Sequence, residues 1–173
     1  MSLPTTLLHE FFDRRWPQQP DAIAIDIPPG PLSATSRVQA TYGELARRSM
    51  AVTAALYPSV TGESLVAVLL PRTSPDAYAA QIGILRAGAA YVAIDPAFPD
   101  DRVRDILDDA SPVAFVTDRS GAERLERLGA DRSRCVLTDL LSDAPAPDGP
   151  ALRPSWLGPE SLAYAIYTSG TTG

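Results

Sequence analysis

The residue types best suited to chemistry in this chain crowd into its last seven positions, Tyr167-Thr168-Ser169-Gly170-Thr171-Thr172-Gly173. An apolar run, Leu162-Ala163-Tyr164-Ala165-Ile166-Tyr167, breaks there into glycines and short hydroxyl residues. Gly170 and Gly173 are free to take positive φ and let backbone N–H groups close on an anion, while Thr168, Ser169, Thr171 and Thr172 add hydroxyl donors. Such a segment suits phosphate groups, although the same composition also describes a plain surface loop. Two common phosphate loops are excluded by spacing. The sequence contains no lysine for G-x-x-x-x-G-K-[ST], and it has no G-x-G-x-x-G.

Other reactive side chains are sparse. Cys135 is the single cysteine, so no intrachain disulfide and no cysteine-based zinc cluster can form, and its Cys-Val-Leu setting reads as a small core residue. His9 is the single histidine and reads as a helix-face residue rather than a metal ligand. The acids Asp100, Asp101, Asp105, Asp108 and Asp109 could hold a hard cation, but their interleaving with Arg102 and Arg104 favours a solvated, ion-paired helix face. A formal charge of −6 and a pI near 4.7 argue against nucleic acid or an anionic membrane surface as partner. Neither a secretory leader nor a run of about 18 apolar residues is evident, so a cytoplasmic protein is expected.

The elements that must position the terminal segment follow from periodicity. At 173 residues one domain can bury roughly 70% of its unfolded surface, and alternating strand and helix patterns predict an α/β fold with a mostly parallel sheet. Leu7, Leu8, Phe11 and Phe12 mark a helix ending before Pro17. Ala22 to Ile27 and Val38 to Ala40 read as a hairpin around a Pro/Gly loop. Thr41 and Glu44 have capping-box spacing and open a helix with Leu45, Val52 and Leu56 on its inner stripe. Leu65 to Leu70 reads as a strand buried on both faces, and Ser74-Pro75-Asp76 starts a helix whose core face is expected at Tyr78, Ile82 and Leu85. Gly88 fits the left-handed stop of that helix before a strand at Ala89 to Ile94. A helix from Pro99-Asp100-Asp101 with Val103, Ile106 and Leu107 inward, a strand at Pro112 to Thr117, a helix with Ala122, Leu125 and Leu128 closed by Gly129, and a strand at Cys135 to Thr138 follow. Asp143 to Pro159 reads as a linker, and Leu162 to Tyr167 as a last buried parallel strand.

Three ordered segments carry a family resemblance. Tyr167 to Gly173 is similar to the opening of the Y-T-S-G-T-T-G-x-P-K-G signature of adenylate-forming enzymes. Thr41-Tyr42-Gly43-Glu44-Leu45 resembles the T-Y-x-E-L motif, and Leu85-Arg86-Ala87-Gly88-Ala89-Ala90-Tyr91-Val92-Ala93-Ile94-Asp95-Pro96 resembles L-K-A-G-x-A-Y-V-P-L-D-P. The D-P-x-x-P-D-x-R run and the Asp109 to Asp118 segment look more like amino-acid adenylation domains of nonribosomal peptide synthetases than like acyl-CoA synthetases. Arg86, Ala93 and Phe98 stand where lysine, proline and tyrosine are usual.

The resemblance implies a partial N-terminal subdomain of the adenylate-forming fold, residues 1–173, interrupted within the phosphate loop. It implies a parent that uses ATP and Mg to convert an amino acid to its adenylate, with release of pyrophosphate, and then passes the acyl group to a phosphopantetheine carrier. Thr168, Ser169, Gly170, Thr171, Thr172 and Gly173 would be the ATP contacts. The loop's lysine, the substrate pocket and the mobile domain's catalytic lysine would lie beyond Gly173, so this chain alone is expected to bind no cofactor and to be inactive. A non-catalytic scaffold or interaction module that keeps the first part of the fold is the alternative.

Overall fold

A computed structural model describes residues 7–30, 36–141 and 153–168. Two antiparallel strands, β1 (Ile23–Ile27) and β2 (Val38–Thr41), form a hairpin beside the main body, with an irregularity in register between Ile23 and Ile25. Helix α1 (Leu8–Arg15) precedes it and runs into a single 3-10 turn, Trp16–Gln18. The main sheet has strands β3 (Leu65–Leu69), β4 (Ala90–Ile94), β5 (Ala114–Thr117), β6 (Cys135–Leu137) and β7 (Tyr164–Ala165) in the order β6-β5-β3-β4-β7, all parallel.

Helices α2 (Tyr42–Leu56) and α3 (Pro75–Arg86) cover one face of this sheet, and α4 (Asp100–Ala110) and α5 (Arg119–Arg127) cover the other. A short α6 (Thr138–Leu141) follows β6. The strand alternation divides the core accordingly. Val66 and Val68 pack with Val52, Leu56, Ala80 and Ile84, whereas Ala67 and Leu69 pack with Val103, Ile106 and Leu125. A strand buried on both sides in this way has no polar face, which is why Leu65 to Leu70 carries a continuous apolar run.

Local signals set most boundaries. The Glu44 amide donates to the Thr41 hydroxyl at 3.1 Å and the Glu44 carboxylate accepts from the Thr41 amide at 2.8 Å, the reciprocal bonds of a capping box. Ser74 caps α3 by accepting from the Asp76 amide. Gly88, at φ +84°, ends α3 with amide bonds from Gly88 to the Leu85 carbonyl and from Ala89 to the Ile84 carbonyl. Gly129 repeats the device after α5 at φ +95°.

Three expectations need correction. Tyr78 is exposed and Ile82 half-buried, so of the predicted core face of α3 only Leu85 is buried; Ala77, Ala80, Gly83 and Ile84 form the inner face instead. The reason is steric: α3 lies against α2 so closely that a Cβ on Gly83 would meet the Ser49 carbonyl oxygen at 2.6 Å, so small residues stand at the point of closest approach. On α1, Leu8 and Phe11 are exposed, and the helix is tied down by Leu7, Phe12 and Asp13 rather than by a full apolar stripe. The last strand pairs only through Tyr164 and Ala165, and Leu162, Tyr164 and Ile166 are exposed, because no described element lies beyond β7. Of the expected linker, 143–152 falls outside the described residues, while Pro154 and Trp156 pack on Gly88.

Candidate functional site at the carboxyl end of the sheet

In a parallel sheet every strand delivers its following loop to the same end, and in open α/β sheets ligands bind there, where neighbouring strands send their connections to opposite faces. β3 leads to α3 on one face and its neighbour β5 leads to α5 on the other, so the crossing point lies between them. β7 is parallel to β4, and its register, Tyr91 with Tyr164 and Val92 with Ala165, brings Thr168 out at that same end. The chain therefore reaches Thr168 at the carboxyl end of the sheet, on the β4 side of the crossing point.

The stem of this run is held from three sides. The Tyr91 amide donates to the Ala163 carbonyl at 3.1 Å, and the Leu162 amide donates to the Glu63 carboxylate at 3.2 Å. The Tyr91 and Tyr164 rings lie 5.7 Å apart, tilted by 32°. Ala165 and Tyr167 turn inward onto the core shared with α4 and α5. Tyr167 donates its hydroxyl to the Asp109 carboxylate, and this bond, with some burial, pushes the phenol pKa above its ordinary value. The Arg102 guanidinium donates to the Thr168 carbonyl at 3.1 Å.

The neighbouring loop after β4 is clamped by α5. Arg124 donates to the Pro96 carbonyl at 2.7 Å, to the Phe98 carbonyl, and from Nε to Asp100 at 2.8 Å. Three acceptors on one planar fork fix both the loop and the first turn of α4. Other polar groups at this end already have tasks: Thr117 donates to the Leu69 carbonyl, Asp95 accepts from the Ala97 amide, and Asp118 caps α5.

Of the expected site residues, Thr168 stands at the carboxyl end of the sheet, exposed; Ser169, Gly170, Thr171, Thr172 and Gly173 lie outside the described residues. The acids of α4 are all exposed, as the expected solvated face requires, though their partners are not all on the helix itself. Asp101 pairs with Arg104 as such a face would, but Asp100 is bound by Arg124 and Asp109 by Tyr167. Sequence reasoning missed Arg102, Asp109 and Arg124 because each acts on a residue far along the chain; the one available signal is the seven-residue spacing of Arg102 and Asp109, two helical turns on one face. Among the described residues no group of three or more His, Cys, Asp or Glu is placed to hold a metal ion, and no helix is long and apolar enough to cross a membrane. Cys135 is half-buried in the core, which pushes its thiol pKa up, as suits a packing residue rather than a nucleophile.

Comparison with known proteins agrees with this geometry. A family model described as AMP-binding enzyme matches residues 12–173. The chain is 38% identical over 168 residues to AMB antimetabolite synthetase AmbB of Pseudomonas aeruginosa, a match covering 96% of this chain and 12% of that protein. It is 34% identical over 167 residues to malpinin synthetase of Mortierella alpina, covering 96% of this chain and 2% of that protein. The crystal structure of the nonribosomal peptide synthetase FmoA3 in its AMPPNP-bound form superposes with a TM-score of 0.77 at 30% identity, over 98% of this chain and 17% of that one. The chain thus spans a small part of the length of each relative.

Proposed function

The chain belongs to the AMP-binding enzyme family, and from that premise we propose that it is the N-terminal part of an amino-acid adenylation domain within a longer nonribosomal peptide synthetase of the cytoplasm. In this reading the longer protein joins an amino-acid carboxylate to the α-phosphate of ATP, releases pyrophosphate, and hands the acyl group to a phosphopantetheine carrier. Thr168, Ser169, Thr171 and Thr172 contribute donors to the outer phosphates, with Gly170 and Gly173 permitting the wrap. Such chemistry depends on positioning and on neutralising phosphate charge rather than on a protein nucleophile. The observation that carries the reading is the delivery of the Thr168 end of β7 to the carboxyl end of the parallel sheet, at the start of a sequence matching the family's phosphate signature.

The hydroxyls and glycines fit ATP phosphates by donor chemistry. Mg, which the resemblance implies for the parent, has no group of three or more His, Cys, Asp or Glu placed to hold it among the described residues, and no step here is routed through it. The test is amino-acid-dependent ATP–pyrophosphate exchange by the longer protein, with Thr171→Ala and Gly173→Val expected to slow it about tenfold or more at limiting ATP. The 173-residue chain alone is expected to give only the no-enzyme blank. Absence of exchange with every amino acid overturns the adenylation reading, and normal rates in both variants overturn the assignment of the loop.

A further inference from the structure

The chain after β7 leaves its ladder early. Only Tyr164 and Ala165 pair with β4, yet the hydroxyl and glycine run begins at Thr168, so Ile166 to Thr168 must be held by something other than the sheet. What touches this stretch is α4. Its Arg102 donates to the Thr168 carbonyl and its Asp109 accepts from the Tyr167 hydroxyl, one bond on each of two consecutive residues. Arg102 and Asp109 lie two turns apart along one edge of the helix, bordering the face that Val103 and Ile106 bury against the sheet. The first turn of α4 is itself fixed through Asp100 to Arg124, which also holds the loop leading into the helix. The two bonds, both solvent-exposed, therefore hang from a helix that is locked at its base and packed on the sheet.

We propose that α4 is the seat of the phosphate-loop stem, with Arg102 and Asp109 as positioning residues that set where the Thr168 to Gly173 loop meets ATP. This rests on the adenylation reading and adds to it which residues aim the loop. Neither residue touches the nucleotide in this scheme. Arg102 aims the loop's entry by holding a backbone carbonyl, and Asp109 keeps Tyr167 turned inward so that the following backbone faces the carboxyl end of the sheet. A flexible stem would leave the loop hydroxyls to be ordered by ATP itself, and that ordering cost appears as weaker binding of ATP, not of the amino acid.

The experiment measures ATP–pyrophosphate exchange by the longer protein with Arg102→Ala, Asp109→Ala and Tyr167→Phe. The expected result is a KM for ATP raised about three- to tenfold in each, as suits loss of one solvent-accessible hydrogen bond, with the KM for the amino acid unchanged. Arg102→Lys, which keeps a donor of shorter reach, should recover part of the loss. The Asp109→Ala/Tyr167→Phe double variant should be no worse than either single one, because both remove the same bond. Unchanged KM for ATP in Arg102→Ala and Tyr167→Phe overturns the proposal, as does a parallel rise in both KM values, which would mean that the two residues do not act on the ATP loop in particular; a merely destabilised fold would lower the apparent kcat and leave both KM values unchanged. Hydrogen exchange on the longer protein, which needs no activity to be read, separates this from the functional reading. Faster exchange at Tyr167 to Gly173 in Arg102→Ala, with β3 and β4 unaffected, supports the seat even if the protein adenylates nothing; unchanged exchange there refutes it even if the protein is active.

Discussion

Gly83 sets two effects of opposite sign against each other. It lies within α3, where the helix contacts α2, and a Cβ built on it would stand 2.6 Å from the Ser49 carbonyl oxygen and 2.8 Å from Val52 Cβ and Cγ1. Helix propensity alone makes Gly83→Ala a stabilising change by about 1 kcal/mol. Overpacking a dense contact costs about 1–3 kcal/mol. The atoms that would have to yield are a helix backbone oxygen and the branch point of a buried valine, and the Gly83 carbonyl is also held at 3.0 Å by the Thr53 hydroxyl, which ties the two helices at this height. Neither neighbour is the far end of a flexible side chain, so the upper part of that range applies and the net loss is about 1–2 kcal/mol. With a urea slope of about 2 kcal/mol per molar, the denaturation midpoint should fall by about 0.5–1 M at unchanged slope. Thermal melting should drop by about 2–8 °C for a chain of this length. Gly62→Ala, which meets nothing within 4 Å, is the control and should stay close to the parent. A Gly83→Ala midpoint at or above that of the parent would refute the claim that helix approach, rather than propensity, keeps glycine at this position.

Two further predictions concern the helix stop and the lone histidine. Gly88→Ala meets both a left-handed backbone, φ +84°, and Pro154 Cγ at 2.9 Å, whereas Gly129→Ala meets only the backbone strain at φ +95°; urea denaturation should show Gly129→Ala losing about 1 kcal/mol and Gly88→Ala clearly more, and equal losses would mean that the Pro154 and Trp156 contact contributes nothing. Burial holds the His9 pKa below its ordinary value of 6.5, outweighing Asp13, which raises it; the unfolded chain then binds the extra proton first, so this contribution is whole above pH 6.5 and is lost as pH falls below it. Denaturation midpoints between about pH 7 and pH 5.5 should decline less in His9→Gln than in the parent, and identical slopes would count against a buried neutral imidazole.

Legibility in the sequence follows the range of the interaction. The cap at Thr41 and Glu44, the cap at Ser74 and the stops at Gly88 and Gly129 each involve residues a few positions apart, and all stand where spacing puts them. The continuous apolar run of β3 correctly signals a strand covered on both faces. The inner face of α3 is misread when large apolar residues serve as the core signal. A helix packed on a second helix buries its small residues, so Ala77, Ala80 and Gly83 point inward while Tyr78 stays in solvent. The candidate site divides in the same way. Its hydroxyl and glycine segment is readable from composition, but the contacts of its stem join Arg102 to Thr168 and Asp109 to Tyr167, 66 and 58 residues apart, and no local pattern announces them.

Arg86 shows what a departure from the family pattern means when read in three dimensions. The motif it occupies usually carries lysine, and in the sequence the exchange looks like one cation for another. In the fold, Arg86 is 4% exposed at the last turn of α3. It donates from Nε and Nη2 to the Asp13 carboxylate on α1 and from Nη1 to the Ser49 hydroxyl on α2, and its guanidinium lies 5.7 Å from the Phe12 ring centre. One planar fork thereby joins three helices, with donors on opposite edges and an aromatic ring near the cation. A lysine ammonium is a single point at the end of a flexible stem and cannot reach Asp13 and Ser49 along these separate directions. A buried cation that loses a partner is costly because its charge stays out of water, so Asp13 and Ser49 are required by the arginine as much as they are served by it. The N-terminal helix, which has no buried apolar stripe of its own, is thus joined to the α2–α3 layer by an ion pair between residues 73 positions apart as well as by Leu7 and the Phe12 ring.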